Sequence, residues 1–321
     1  MDIYGLFQKS KKWKWIFTVL LVLFLALTGQ ILGDFWIHTA TEALIMSLYA
    51  VSFSLLYGQI GMLSFGQGAY FGVGAYGFAL AMTRLSAPFV ICMLIGVLVA
   101  GLWAWIAGYF CVRRVGIYFA IMTVVMAQVT FYVLFQWYSF TGGDNGIQGL
   151  FPTGILRNPR NFFYFTLVVV SGALFVFRLI LKSPFGLSLR CVRENIIRSE
   201  SVGVEVRRHI HKAFIISGLY AGLAGVLYAP FNVSIVPQMA DWNASGQAVF
   251  MGILGGVSYV FGSLVGSVIW VFLHAFVTGF TVYWSLVIGF IVFMIIFFMP
   301  GGLMGLTGVV TRRTVQAKES R

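Results

Sequence analysis

The feature that most constrains this chain is the length of its uncharged stretches. Residues 242–311 hold 70 consecutive positions without Asp, Glu, Lys or Arg, and residues 43–83 hold another 41. A helix rises about 1.5 Å per residue, so about 20 apolar residues cross a hydrocarbon core about 30 Å thick. With 60% hydrophobic residues, 9% charged and a mean hydropathy of +0.93, the 321-residue chain has too little charge to cover a water-soluble globule. This excludes a soluble enzyme, a disordered chain and a disulfide-stapled secreted module. The net charge of +12 does not point to nucleic acid, because the cations lie between apolar blocks, where they orient a membrane protein.

The uncharged blocks divide into ten expected spans. Residues 15–33 give one, and 43–83 give two, broken at Gly58-Gln59-Ile60-Gly61. Residues 85–112 and 115–143 give the fourth and fifth, the latter ending near Trp137. The sixth runs from Asn161 to Leu181, and the seventh is 213–230, closed by Pro230. The block 242–311 has room for three, divided near Gly255-Gly256 and Gly279. All seven prolines are expected at or beyond span ends, as proline disrupts helix interiors. With both termini cytoplasmic, 18 of 21 basic residues fall inside and only Arg84, Arg157 and Arg160 outside. Nine or eleven spans would put the basic tail on the wrong side. The lysines at 9, 11, 12 and 14 precede a long apolar run without an A-x-A site, so a retained first span is expected rather than a cleaved signal peptide.

Residues 66–73 and 246–253 share the pattern G-Q-x-x-[YF]-x-G-[VI] at an offset of 180. They fall in the third and eighth spans, and a shift of five spans reverses direction. The copies are therefore expected to be two inverted repeats, with Gln67 and Gln247 as counterparts. Seven glycines between Gly58 and Gly77 have two readings: close helix packing, or a broken element beside a polar pathway. Ser64, Gly66, Gln67, Gln128, Gly246 and Gln247 are candidate pathway residues. Glu42, near the outer end of the second span, is either a solvated helix-end carboxylate or a charge lining the outer mouth. It is the one acid that the span count places in the membrane, which argues against ion coupling. His274 reads as a packing residue. Cys92, Cys111 and Cys191 have no metal or disulfide spacing, and no phosphate-binding loop or catalytic constellation is present.

The segment 182–212 is the longest cytoplasmic excursion. Ser188 is a candidate cap for a helix there, and Leu189, Val192 and Ile196 recur at helical spacing. Glu194 precedes Arg198 by four, and Gly203 is a candidate stop. An ordinary basic loop on anionic lipid is one reading. Docking to a protein is the other, with the apolar stripe filling a partner's groove and Arg190, Arg193, Glu194 and Arg198 at its rim.

Several motifs together resemble branched-chain amino acid ABC transporter permeases of the LivM type. They are the run Leu55 to Gln67, Thr141-Gly142-Gly143-Asp144-Asn145-Gly146, Ser183-Pro184-Phe185-Gly186, the loop Arg193 to Val204, Gly222-Leu223-Ala224-Gly225 and Ile253-Leu254-Gly255-Gly256-Val257. The resemblance runs from Glu42 to Gly305. The loop departs from the E-A-A-x-x-x-G signature of many other ABC importers. The resemblance implies an all-α integral membrane protein of the ABC importer permease fold, not an enzyme, in a bacterial inner membrane. Its single permease domain, 15–311, would lie between a cytoplasmic N-terminus at 1–14 and a cytoplasmic tail at 312–321. It also implies a second homologous permease, two ATP-binding subunits that hold the ATP, and a periplasmic solute-binding protein, with membrane lipid around them and no nucleic acid. Leu189, Arg190, Val192, Arg193, Glu194, Asn195, Ile196, Arg198, Glu200 and Gly203 would then couple the chain to the ATPases. Branched-chain or related amino acids are the implied solutes. Urea or short amides are the alternative within the family, and an ion-coupled carrier the alternative outside it.

Overall fold

A computed structural model describes residues 33–257, 262–280, 283–298 and 302–304. The expected first span, the N-terminal lysines and the basic tail lie outside these residues. The described helices are α1 (Asp34–Ile60), α2 (Gln67–Arg84), α3 (Phe89–Cys111), α4 (Ile117–Gln136), α5 (Tyr138–Thr141), α6 (Pro159–Lys182), α7 (Pro184–Glu194), α8 (Ile196–Ser201), α9 (Val206–Asn232), α10 (Trp242–Gly255), α11 (Gly262–Thr278) and α12 (Trp284–Phe298). Two short antiparallel strands, β1 (Ile147–Gln148) and β2 (Ser234–Ile235), join the loops after α5 and α9.

Five helices, α1, α3, α4, α6 and α9, are long and apolar enough to cross a membrane. α11 and α12 are apolar but shorter, at 17 and 15 residues. Burial sorts these helices. In the most apolar stretch of α1, 89% of residues are buried, against 22% in α4. α1 is therefore the central post, packed on by α6, α9, α10 and α11, while α2 is wedged between α9 and α3. The peripheral helices keep bare apolar faces, among them Leu94, Leu98 and Leu102 on α3. That is how a chain looks when its solvent is hydrocarbon.

The bundle has two distinct ends. At one, Arg84 donates to the carbonyls of Ser139 and Phe140, and β1 pairs with β2. The opposite end carries Arg113, Arg114 and the paired helices α7 and α8. Both α6 and α7 begin by the same device: Asn158 and Ser183 accept backbone N–H bonds with their side chains, and Pro159 and Pro184 occupy the first helical position.

Several boundaries differ from the sequence expectation, for identifiable reasons. α1 begins at Asp34, not 43, so Glu42 lies in its third turn and is half-buried rather than at a helix end. α9 begins at Val206, seven residues before the uncharged block, because a helix can carry Arg207, Arg208 and His209 on its exposed first turn. It also continues through Pro230 to Asn232. The loop helix is capped by Ser183, not Ser188, and it stops at Glu194. Asn195 is extended there (φ −162°) and its side chain accepts from the N–H of Arg198, starting α8 afresh. The Glu194–Arg198 helix pair is therefore interrupted.

Candidate functional site

The centre of the bundle is built from two helices that start inside it. Tyr49 lies eleven residues before the end of α1, about 16 Å along the axis, and its hydroxyl donates to the carbonyl of Ala244 in α10 (2.9 Å). The N–H of Gly68, second residue of α2, donates to the Ser245 hydroxyl (2.8 Å). α2 therefore begins about halfway along α1. The chain covers the remaining depth in the irregular segment Gly61–Gly66, since six extended residues reach about 20 Å. Its backbone finds partners on the way. Phe65 N–H donates to the Thr123 hydroxyl (3.0 Å), and Gly66 N–H to the Ser64 hydroxyl (3.3 Å).

α10 begins at the same level. Its N-cap is Asp241, whose Oδ1 accepts from the N–H of Trp242 (2.7 Å) and from Nε2 of Gln128. Its Oδ2 accepts from Nδ2 of Asn243 (2.8 Å). Gln128 is the twelfth of twenty residues in α4, about 16 Å from the helix's start and about 12 Å from its end. A carboxylate thus sits half-buried at mid-bundle depth, and among the described residues no cation forms an ion pair with it. Gly68 makes the convergence possible: a Cβ there would lie 2.6 Å from the Asp241 carbonyl oxygen. Beside this cap Asn243 and Gln247 are exposed, Gly246 is half-buried, and open space surrounds the position a Gly246 Cβ would take.

The expected pathway residues therefore separate. Ser64, Gly66, Gln67, Gln128 and Gly246 gather around the two helix starts, and Gln247 lies about a turn and a half below Asp241. Gln67 is wholly buried, with Nε2 donating to the Ser217 hydroxyl (3.2 Å), which itself donates to the Ser52 carbonyl (2.7 Å). It ties α1, α2 and α9 together. Gln247 is exposed, so the two glutamines of the repeat occupy unlike environments. Glu42 is not part of the group, being seven residues, about 10 Å, from Tyr49 along α1. Asp241 is the residue the sequence reading missed. It served only to end an uncharged block, and its one signal was a lone acid flanked by Trp242 and Asn243 before a helix. Glu42 is therefore not the one acid within the depth of the bundle, since Asp241 also lies there.

At the basic end, the apolar stripe faces inward. Leu189 and Val192 are 0% and 2% exposed within this chain, so they cannot fill a groove on another protein. Ile196 is half-buried against the same core. Arg190 and Arg193 are exposed, and each is also tied to the end of α1: Arg190 Nε donates to Oε1 of Gln59 (3.0 Å) and Arg193 Nη1 to the carbonyl of Gly58. Glu194, Asn195, Arg198 and Glu200 are exposed, and Gly203 ends α8 with φ +88°, the left-handed turn expected of it. On α7, α8 and the turn after α8, the exposed large apolar side chains are Leu187, Ile197 and Val202, the last two 77% and 84% exposed.

A broken pair of helices meeting at mid-depth, with polar groups at their starts, is the arrangement of transporter binding sites. The family described as "Branched-chain amino acid transport system / permease component" matches residues 35–297. The chain belongs to this permease family. It is a transport permease and not an enzyme. It is 27% identical to the high-affinity branched-chain amino acid transport system permease protein LivM of Escherichia coli, over 84% of this chain and 70% of that one. It is 24% identical to the corresponding LivH of Salmonella typhimurium, over 81% of this chain and 91% of that one. A shorter match, 31% identical over 44% of this chain, is to a probable LivH of Methanocaldococcus jannaschii, over 48% of that protein. No solved structure matches the chain.

Proposed function

We propose that this permease is one of two related membrane subunits of an ATP-driven importer, passing branched-chain or related amino acids through a bacterial inner membrane. The observation that carries the reading is the half-buried Asp241 at the shared start of α2 and α10. A carboxylate at that depth is costly unless it serves a path. It can accept the ammonium of an amino acid, while the amides of Gln128, Asn243 and Gln247 offer donors and acceptors beside it. Exposed Asn243 and Gln247 do not suit lipid. They suit a water-lined seam closed by the second permease. An acid here also restores ion coupling as the competing mechanism.

The basic end is then cytoplasmic by the positive-inside rule, as are both termini and the ten-span count. Leu187, Ile197 and Val202 are the apolar anchors left for an ATPase subunit, and a binding protein delivers solute at the opposite end. The test is uptake of labelled leucine by proteoliposomes holding this chain with its co-purified partners. ATP-dependent leucine uptake that an imposed proton or sodium gradient does not drive is the expected result. Uptake driven by the gradient alone, without ATP, sinks the importer in favour of a carrier. Uptake of labelled urea in place of leucine moves the solute class.

A further inference from the structure

The end of α1 is held by two arginines that the sequence alone would have assigned to a partner's surface. Gly58 is in the last turn of α1, where carbonyls lack intrahelical partners and carry partial negative charge. Arg193 donates to that carbonyl and Arg190 to the side chain of the next residue, Gln59. Both arginines stand on α7, which is seated on the bundle by buried Leu189 and Val192. The charged hydrogen bonds and the apolar seat fix α7 to α1 at two kinds of contact.

Two continuations start from this same point. Beyond Gly61, which is left-handed (φ +80°) and faces the Arg193 stem, the chain climbs through Gly61–Gly66 to the start of α2. Gly58 itself packs closely against the backbone of Val257, just beyond the end of α10. The foot of α1 is thus attached to both helices that start beside Asp241, to the start of α2 through Gly61–Gly66 and to the far end of α10 beside Val257.

We infer that Arg190 and Arg193 form a clamp that carries displacement of α7 and α8 to the foot of α1, and from there to the two broken helices. They are positioning residues: they touch neither solute nor ATPase. The inference rests on the importer reading in one respect only, that a partner moves α7 and α8. Exposed Leu187, Ile197 and Val202 are where that partner takes hold, while the arginines, exposed at the same end, reach back to Gln59 and Gly58 at the foot of α1.

The experiment uses the whole complex with its ATPase subunits, in a Cys191→Ser background, with a reporter thiol at Leu63→Cys in the climbing segment. Labelling by a soluble maleimide is measured with and without ATP plus vanadate. In the otherwise unaltered complex the rate changes roughly tenfold, within the range typical of coupling between distant sites. With Arg190→Ala and Arg193→Ala together, that dependence is lost, although the ATPase subunits still co-purify and hydrolyse ATP. Arg207→Ala, which removes an exposed cation at the same end, keeps the dependence. The clamp is overturned if the double variant keeps the nucleotide response, if it loses the ATPase subunits, or if Leu63→Cys never responds in a complex that imports leucine. Absence of any ATPase partner from the purified complex instead overturns the importer reading.

Discussion

Asp241 has two separable tasks, and one atom's difference tells them apart. As an N-cap it accepts from Trp242, a task that asparagine does about as well; alanine at a cap costs about 1 kcal/mol. As an intramembrane anion it supplies charge, which asparagine lacks. Asp241→Asn should therefore leave the amount of folded protein unchanged and lower leucine uptake by about tenfold or more, the loss of one charged hydrogen bond. Equal uptake for Asn and a loss only for Ala would make Asp241 a cap and nothing more. Gln67→Leu makes the complementary case. It removes one hydrogen bond of Ser217, which keeps its bond to the Ser52 carbonyl. It should lower thermal stability without a specific effect on the Km for leucine. Gly68→Ala should damage both, because a methyl group there meets the Asp241 carbonyl and pushes α10 from α2. Gln67 was legible in the sequence as an amide in an apolar run, but whether it faced a path or a serine was not. That choice depends on Ser217, 150 residues away.

At the level of elements, α7 and α8 show how a correct pattern can point the wrong way. Leu189, Val192 and Ile196 do form a stripe, and a stripe states only that a face is buried. Its burial within the chain leaves Ile197 and Val202, on α8 and just after it, as the exposed apolar groups. Exposed apolar anchors are what an interface uses. Ile197→Asp combined with Val202→Asp should release the ATPase subunits during purification while this chain stays folded. Leu189→Asp should instead prevent accumulation of the chain, since it buries an unpaired charge. If the first pair leaves the ATPases bound, the docking face is elsewhere on the basic end. The long helices were legible because lipid demands about 20 apolar residues of each. α1's extra turns before 43, and α9's before 213, were not, because helices run past the hydrocarbon and carry Asp34 or Arg207 on solvated turns. α2 and α10 were legible only as glycine-rich oddities. Their shared starting depth follows from contacts with α1 and α4 that no local pattern encodes.

For the whole molecule, the decisive question is what lies against the open side of α10. Exposed Gln247 sits about a turn and a half below Asp241, at a depth where lipid would leave its amide without partners. Exposed Leu98, in the middle of α3, lies on an outer apolar face and suits lipid. The two positions give opposite expectations for one reagent. In membranes containing the full complex and a Cys191→Ser background, a thiol at Gln247→Cys should react with a charged maleimide, because water reaches it along the seam. The buried native thiols, Cys92 and Cys111, give no background. A thiol at Leu98→Cys should stay unreactive, since a charged reagent does not enter hydrocarbon and a thiol there stays protonated. The Gln247→Cys signal should also fall when leucine occupies the path. Reactivity as low as at Leu98→Cys would place Gln247 in a dry interface and move the path to the other side of Asp241, between α4 and α2. Reaction at both positions would mean that water reaches the outer faces of the bundle, and the assignment of α3 to lipid would fail with it.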